Sequence, residues 1–197
     1  MDETRARKRI TDIQTLRAVA HPLRTRLLAL LRLNGPATAT ELARRTGESS
    51  GATSYHLRQL GRYGFVEENG PRVGRERRWR ASHRVTSWEP ADFVGDRAAL
   101  EVSDAIERRQ LQRAVAQFES WMANRSQADP RWLRVAGLAD DVLRLTPAQA
   151  RSLTDEMLQL WRRYREASPP APSDERPALV AVQLQLLPFE RLEDLDL

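Results

Sequence analysis

Residues 38–60 read TATELARRTGESSGATSYHLRQL, and this segment contains two helix starts separated by a tight turn. Thr38 is followed three residues later by Glu41, which is the spacing of a capping box at a helix N-terminus. Gly47 is the residue type that most readily adopts the left-handed conformation at which a helix ends. Ser49 is a preferred residue at the start of the next helix. The segment therefore predicts a helix-turn-helix.

The second predicted helix has an N-terminal end without bulky side chains. The residues there are small or polar: Ser50, Gly51, Thr53 and Ser54. Its apolar positions, Leu57 and Leu60, come later. A helix with such an end can approach another surface closely, as a recognition helix does in the major groove of DNA. The alternative is an ordinary two-helix corner within a core.

The residues after this segment indicate a β-hairpin, and this favours a recognition helix over an ordinary two-helix corner. Residues 65–68 favour a short strand that follows Gly64 at the helix end. Residues 69–75 are rich in turn formers and arginine, and residues 76–81 favour a returning strand. The hairpin is typical of a wing.

Two further helices are predicted upstream, at about residues 11–20 and 22–33. They are divided before Pro22, because the residue that precedes a proline resists helical geometry. Two helices, a helix-turn-helix and a hairpin in this order predict a winged helix-turn-helix domain over residues 1–88.

Four segments within residues 10–82 carry a family resemblance. They are AHPLR at 20–24 before an apolar run, TELA at 40–43, SYHLRQL at 54–60 and GFV at 64–66. In this order and spacing they resemble the ArsR-type family of bacterial transcriptional regulators. The resemblance implies a homodimer that binds a palindromic operator and usually represses.

The positive charge of the chain is concentrated in the same half. Residues 1–90 hold 18 arginines and lysines against 9 carboxylates, whereas residues 91–197 hold 14 against 18. The overall charge of +5 is thus +9 in one half and −4 in the other. Genomic base composition would explain the preference for arginine over lysine, but not this asymmetry. Because cations that neutralise phosphates release counterions, the excess predicts a contribution to DNA affinity.

The predicted DNA-binding residues form three groups, which face the major groove, the phosphates, and the backbone or minor groove. The first group is Ser50, Thr53, Ser54, Tyr55 and Arg58, the second is Thr38, Thr40 and Ser49, and the third is Arg72, Arg75 and Arg77. Residues 1–9, with Arg5, Arg7, Lys8 and Arg9, predict a mobile basic arm that either touches phosphates or is a solvated tail.

Residues 89–197 predict a second domain of helix, strand, helix and strand. The elements are expected at about 96–125, 141–145, 147–166 and 178–188. The first helix carries an apolar stripe of Leu111, Val115, Phe118 and Met122. Because such a stripe is too regular to leave in water, these residues predict the interface of a homodimer. The whole chain is thus predicted to be α+β and mainly helical, with an extra C-terminal dimerisation domain.

Four tryptophans lie in this second half or at its edge: Trp88, Trp121, Trp132 and Trp161. Aromatic side chains dominate both cores and interfaces, so packing is the first interpretation. A pocket for a small apolar or aromatic effector is the alternative.

Other classes of protein find little support in the residues. The chain has no cysteine, and His21, His56 and His83 have no histidine or carboxylate three or four residues onward, so no metal site or other cofactor is predicted. Carboxylates such as Asp140 and Asp141 lack a nucleophile or a paired acid and base, so no enzyme is predicted. The apolar stretches are too short to span a membrane, and a cytoplasmic location is expected. A winged-helix module that binds proteins instead of DNA remains the alternative.

Overall fold

The helix-turn-helix begins and ends at its capping residues. The computed structural model describes residues 7–70, 77–166 and 177–189. The Thr38 hydroxyl accepts the backbone N–H of Glu41 at 3.2 Å, and the Glu41 carboxylate accepts the N–H of Thr38 at 2.8 Å. Gly47 ends the helix with a φ of 75°, in the left-handed region. Ser49 Oγ accepts the N–H of Ala52 at 3.1 Å. The predicted helix starts are confirmed.

The described helices and strands follow the order of a winged helix and then continue into further helices. The helices are α1 (Ile13–Ala20), α2 (Pro22–Asn34), α3 (Ala39–Thr46), α4 (Ser50–Arg62), α5 (Arg97–Asn124), α6 (Pro130–Leu133) and α7 (Pro147–Glu166). The strands are β1 (Arg7–Arg9), β2 (Ala37–Thr38), β3 (Val66–Glu68), β4 (Arg78–Ala81) and β5 (Val85–Ser87). Short 3-10 turns lie at Pro90–Phe93 and Arg125–Gln127. The predicted α+β, mainly helical fold is confirmed.

The wing is a three-stranded antiparallel sheet in the order β2-β4-β3. Ala37 lies opposite Trp79 on one side of β4, and Val66 lies opposite Ala81 on the other. A two-residue strand next to the helix-turn-helix thus anchors the hairpin to the start of α3. Residues 71–76, between β3 and β4, lie outside the described residues.

A second, two-stranded sheet corrects part of the prediction for the N-terminus. β1 pairs in parallel with β5, with Arg7 opposite Val85. Ile10, which follows β1, is 1% exposed and belongs to the core. Residues 7–9 are therefore a paired strand and not the mobile arm that their charge suggested, because the adjacent apolar residue anchors them.

The core of the winged helix extends past the hairpin. Leu16, Leu27, Leu42 and Leu57, one from each of the first four helices, are wholly buried. α5 adds buried residues of its own, Ala99, Ser103 and Ile106. The chain divides into two compact units, Met1–Gln117 and Phe118–Leu197. Residue 88, where the sequence predicts a domain boundary, lies inside the first unit.

The second unit differs from the prediction in its strands. α7 begins with the expected capping box, in which the Thr146 N–H donates to Gln149 at 2.9 Å and the Gln149 N–H donates to Thr146 at 3.3 Å. Residues 141–145 and 178–188 form no strand, so these two predictions are wrong. An apolar or alternating run becomes a strand only when another strand bonds to it, and no described segment of this unit does so. Among the described helices, none has the length and apolar character needed to cross a membrane.

Candidate nucleic-acid interface

A concave surface lies between the start of α3, the exposed face of α4 and the base of the wing. It encloses about 320 Å³ and is called the α4 concavity below. Its lining residues are Thr38, Ala39, Thr40, Ser50, Ser54, Arg58, Arg77 and Trp79. Six of them were predicted from the sequence to bind DNA: Thr38, Thr40, Ser50, Ser54, Arg58 and Arg77. The fold therefore brings members of all three predicted groups to one surface.

The face of α4 that lines the concavity is set by helical periodicity. Tyr55 is 52% exposed and Arg58 is exposed, while Ser54 is half-buried. Thr53 is wholly buried, because it shares the inward face with Leu57 and lies four residues before it. Its hydroxyl has no hydrogen-bond partner within the described residues. Thr53 is therefore a core residue, and its predicted place in the major groove is corrected.

The helix starts contribute backbone N–H groups and hydroxyls in different ways. Thr38 is 6% exposed, and its hydroxyl is occupied by the Glu41 N–H. Because it is buried, Thr38 positions the start of α3 and does not present its hydroxyl to an external partner. Thr40 is half-buried, whereas Ser49 and Ser50 are exposed. The Ser49 hydroxyl accepts one hydrogen bond and keeps its own proton to donate. Each helix also presents the positive end of its dipole here.

The base of the wing is lined by paired arginines. Arg77 contacts Glu68 at 2.9 Å, with both side chains about two-fifths exposed. Such a pair contributes little to stability, so a phosphate can replace the carboxylate at low cost. Arg78, which the sequence did not single out, donates to the carbonyl of Pro36 at 2.7 Å and lies 3.7 Å from Glu41. Arg72 and Arg75 lie outside the described residues.

The capping carboxylate is held in its charged form by this arrangement. The hydrogen bond from the Thr38 backbone N–H lowers the pKa of Glu41, and the nearby Arg78 and Arg45 lower it further. A charged Glu41 completes the capping box and also attracts the first residue of the returning wing strand. One carboxylate thus connects the start of α3 with β4.

A close approach fixes the spacing between α4 and the wing. Gly61, near the end of α4, faces the indole ring of Trp79 in β4. A Cβ at residue 61 would lie 3.2 Å from Cζ3 of Trp79, which is tighter than most such contacts. Trp79 is itself 8% exposed and packs in the core. Glycine therefore permits the helix and the wing strand to lie this close.

Two histidines connect α4 to the corner between α1 and α2, and the sequence did not predict this contact. The rings of His21 and His56 lie 4.4 Å apart between centroids, at an angle of 37°. His21 Nδ1 also accepts the N–H of Leu23 at 3.2 Å and so caps α2. Tyr55 lies in a T-shaped contact with His56, with 5.2 Å between the ring centroids. The one available signal was the His-Pro pair, since a histidine before a proline at a helix start can act as a cap.

The residues predicted for the dimer interface lie on α5 and are largely solvent-accessible. Leu111, Val115 and Met122 are 54%, 50% and 42% exposed, and Phe118 is half-buried. Of the tryptophans, Trp88 is half-buried and donates to the Ser103 hydroxyl at 2.8 Å, which ties the end of the wing region to α5. Trp88 is thus a packing residue. An effector pocket among the other three tryptophans stays a prediction.

The comparisons with known proteins agree with this geometry. Residues 19–69, from the end of α1 to the residue after β3, match the family described as a helix-turn-helix domain. A solved structure described as a possible transcriptional regulator for arsenical resistance is 31% identical, with 54% of this chain and 97% of that chain aligned and a TM-score of 0.33. Residues 19–69 therefore form a helix-turn-helix domain, and the three-stranded sheet beside it gives this domain a wing.

Two further solved structures are similar to part of this chain. The homodimeric winged helix-turn-helix DNA-binding domain of a possible ArsR-family regulator from Mycobacterium bovis, solved in solution, is 21% identical. It aligns with 51% of this chain and 76% of its own, with a TM-score of 0.34. A protein from Mycobacterium tuberculosis is 15% identical over 81% of this chain and 86% of its own, with a TM-score of 0.31. No curated protein matches the sequence closely enough to count as a relative.

Proposed function

We propose that this protein is an ArsR-like homodimeric repressor that binds a palindromic DNA operator, with α4 of each protomer in the major groove. The observation that carries the proposal is the α4 concavity, which brings residues of α3, α4 and the wing together beside two helix N-termini. The charge of +9 in residues 1–90 supports the same partner.

The residues in and beside the concavity have distinct roles in this proposal. Arg58 and Tyr55 reach base edges, Arg58 as a donor to guanine and Tyr55 against a thymine methyl. Ser50 and Ser54 are small enough to let the first turns of α4 enter the groove. Thr40 and Ser49 donate to phosphates together with the backbone N–H groups at the helix starts, which fixes the register on the duplex.

The wing contributes affinity without sequence preference. Arg77 exchanges its surface contact with Glu68 for a phosphate or the minor groove. Arg72 and Arg75 belong to the same predicted group. Because these arginines contact the backbone, they add to binding on any sequence.

The homodimer is proposed to form through α5. Two winged helices must be held so that their recognition helices meet half-sites about 34 Å apart. The stripe of Leu111, Val115, Phe118 and Met122 supplies an apolar face on one helix, and a symmetric dimer would use the same face on both chains. The solved domain from M. bovis is itself homodimeric, which supports the proposal for this chain.

The proposed protein acts on DNA in the cytoplasm and catalyses no reaction. The test is selection of bound fragments from random and genomic DNA with the full chain, followed by titration of the best fragment over a range of salt concentrations. We expect an inverted repeat, and a slope of log affinity against log salt near −5 if about six phosphates are neutralised. A slope near zero, or no enriched sequence, would overturn the proposal and favour a protein-binding module.

A further inference from the structure

A second open groove lies within the first unit, between the α1–α2 corner and the first half of α5. It encloses about 440 Å³, and three arginines line it: Arg17 from α1, Arg24 from α2 and Arg109 from α5. None of its residues belongs to the proposed DNA interface. The groove is therefore a separate feature of the winged-helix unit.

The arginines of this groove lack acidic partners. Within the described residues, no salt bridge joins Arg17, Arg24 or Arg109 to a carboxylate. Arg24 donates from Nη2 to the carbonyl of Arg17 at 2.9 Å, and its Nε is buried with no partner in the same part of the chain. Glu101 also lines the groove, but its carboxylate contacts Arg97 at 3.1 Å. Three guanidinium groups thus face one space with a surplus of positive charge.

Guanidinium groups beside an open groove favour an anionic ligand, and Arg17 and Arg109 are both exposed here. A guanidinium presents several N–H groups in a planar fork that matches the two oxygens of a carboxylate. The unpartnered Nε of Arg24 costs free energy as long as it remains unsatisfied. Arg109 is already fixed by donation to the carbonyl of Ala20, so its remaining N–H groups are held at the groove. Because the Nε of Arg24 is itself buried, a bound carboxylate would accept from the exposed N–H groups of Arg17 and Arg109.

The α5 wall of the groove combines small apolar residues with Glu101. Ala98, Val102 and Ala105 lie on one face of α5, at spacings of four and three residues, and Arg109 follows four residues later. The two alanines leave room beside the helix. A ligand with an acidic end at the arginines and a short apolar body along α5 fits both walls.

We propose that this groove binds a small organic carboxylate with an apolar body, and that the bound ligand changes the affinity for DNA through His21. The second of these claims, the regulatory half of the proposal, rests on the function proposed above. His21 lines the groove and stacks on His56 of α4, next to Tyr55. A ligand that contacts His21 therefore acts one ring away from the DNA-binding face of α4.

For ligand binding and DNA binding to be coupled, the contact between His21 and His56 must have two arrangements. The ligand must bind the protein with different affinities in these two arrangements. Coupling between two sites is typically about 5–150-fold. We therefore expect saturating ligand to change the DNA affinity of the full chain by about ten-fold, and DNA to change ligand affinity by the same factor, because the linkage is reciprocal.

The binding half is tested on the full chain by calorimetry with sodium hexanoate and sodium benzoate, at constant ionic strength. The neutral amides of the two acids and inorganic phosphate serve as comparison probes. We expect the carboxylates to bind at least ten-fold more tightly than either comparison. Amides that bind equally well would overturn the role of the arginines, and phosphate that binds equally well would overturn the role of the apolar wall.

Matched variants locate the site. Arg17→Gln and Arg109→Gln each remove one charge that lines the groove, whereas Arg113→Gln removes a charge from the next turn of α5. We expect the first two to weaken hexanoate binding at least ten-fold and the third to leave it unchanged. Ala105→Met, which fills the groove without a change in charge, should also abolish binding. Equal affinities in all four variants would overturn the site.

The regulatory half is tested separately, as the ratio of DNA affinities with and without hexanoate. We expect a ratio of about ten in the wild type and near one in His56→Ala, with hexanoate binding retained in that variant. Hexanoate binding with a ratio of one in the wild type would overturn the coupling but not the groove. Hexanoate binding by a chain that binds no DNA would instead overturn the proposed function.

Discussion

The imidazole rings of His21 and His56 stack 4.4 Å apart and join the start of α2 to α4. Burial lowers the pKa of both rings, and the positive charge of Arg24 lowers both further. Arg109 adds to the effect at His21, and His21 itself adds to the effect at His56, while Glu48 opposes it at both. His56 is half-buried whereas His21 is exposed, so we expect protonation to destabilise the fold more at His56.

This contact predicts that the protein loses stability in mild acid. Both pKa values are lower in the folded state than in the unfolded state, where histidine titrates near about 6.5. The unfolded chain therefore takes up protons first as the pH falls below that value, and the folded state loses free energy relative to it. Protonation of His21 at Nδ1 would also remove the acceptor that caps α2.

Urea unfolding at pH 7.5 and pH 5.5 measures this effect. We expect the difference in unfolding free energy between the two pH values to be smaller in the His21→Gln/His56→Gln double variant than in the wild type. His83→Gln, which leaves the stacked pair intact, is the control and should keep most of the difference. An unchanged difference in the double variant would show that other groups cause the acid effect.

Replacement of the buried Thr53 by valine should stabilise the fold. Valine has nearly the same shape and removes a hydroxyl that has no partner within the described residues. We expect Thr53→Val to raise the unfolding free energy by about 1 kcal/mol and to leave DNA affinity unchanged. Thr46 is the matched control, because it is also buried but its hydroxyl donates to the Leu42 carbonyl at 2.9 Å. Thr46→Val should therefore lower the unfolding free energy. A loss of DNA affinity in Thr53→Val would show that Thr53 contributes to the DNA interface after all.

Arg58 and Arg77 should differ in what they contribute to DNA binding. Arg58→Ala should cost about 1–3 kcal/mol on the best sequence and reduce the preference for it, because a base contact is lost. Arg77→Ala should weaken all sequences about equally and reduce the salt slope by about 1, because a phosphate contact is lost. Arg97→Ala, on the first turn of α5, is the control for charge alone. Equal losses on all sequences for both Arg58 and Arg77 would mean that α4 does not read bases.

Charged residues in the α5 stripe should separate the proposed dimer without unfolding the winged helix. Leu111 is 54% exposed, so Leu111→Glu together with Phe118→Glu should give a monomer by sedimentation at micromolar concentration, with little change in melting temperature. Ile106→Glu is the contrasting variant, since Ile106 is 9% exposed and a charge there should destabilise the core itself. A wild type that is monomeric and still binds its operator tightly would refute the dimer.

The features predicted correctly from the sequence depend on interactions between residues that are close together in the chain. Capping at Thr38, Ser49 and Thr146 depends on residues within one helical turn, so the starts of three helices were predicted. The composition of the first turns of α4 is also the basis of the proposed DNA-binding face. Thr53 was placed wrongly on that face because polarity was given more weight than its helical spacing from Leu57.

The failures concern partners that are distant in the sequence. A strand at 178–188 would need another strand beside it, and no pattern in the chain specifies which one. The stack of His21 on His56 and the meeting of Arg17, Arg24 and Arg109 join residues from different helices. Only the packing of those helices brings such groups together, and local residue patterns do not specify that packing.

The contact between Gly61 and Trp79 has a consequence for how such a protein changes its target. A methyl group at residue 61 would press on the indole ring, so a larger residue there would push α4 and β4 apart. In the proposed complex, the distance between these two DNA-contacting elements of one protomer therefore depends on this glycine. We expect a change of target sequence to come from exposed side chains such as Tyr55 or Arg58, which can be exchanged without a change in that distance.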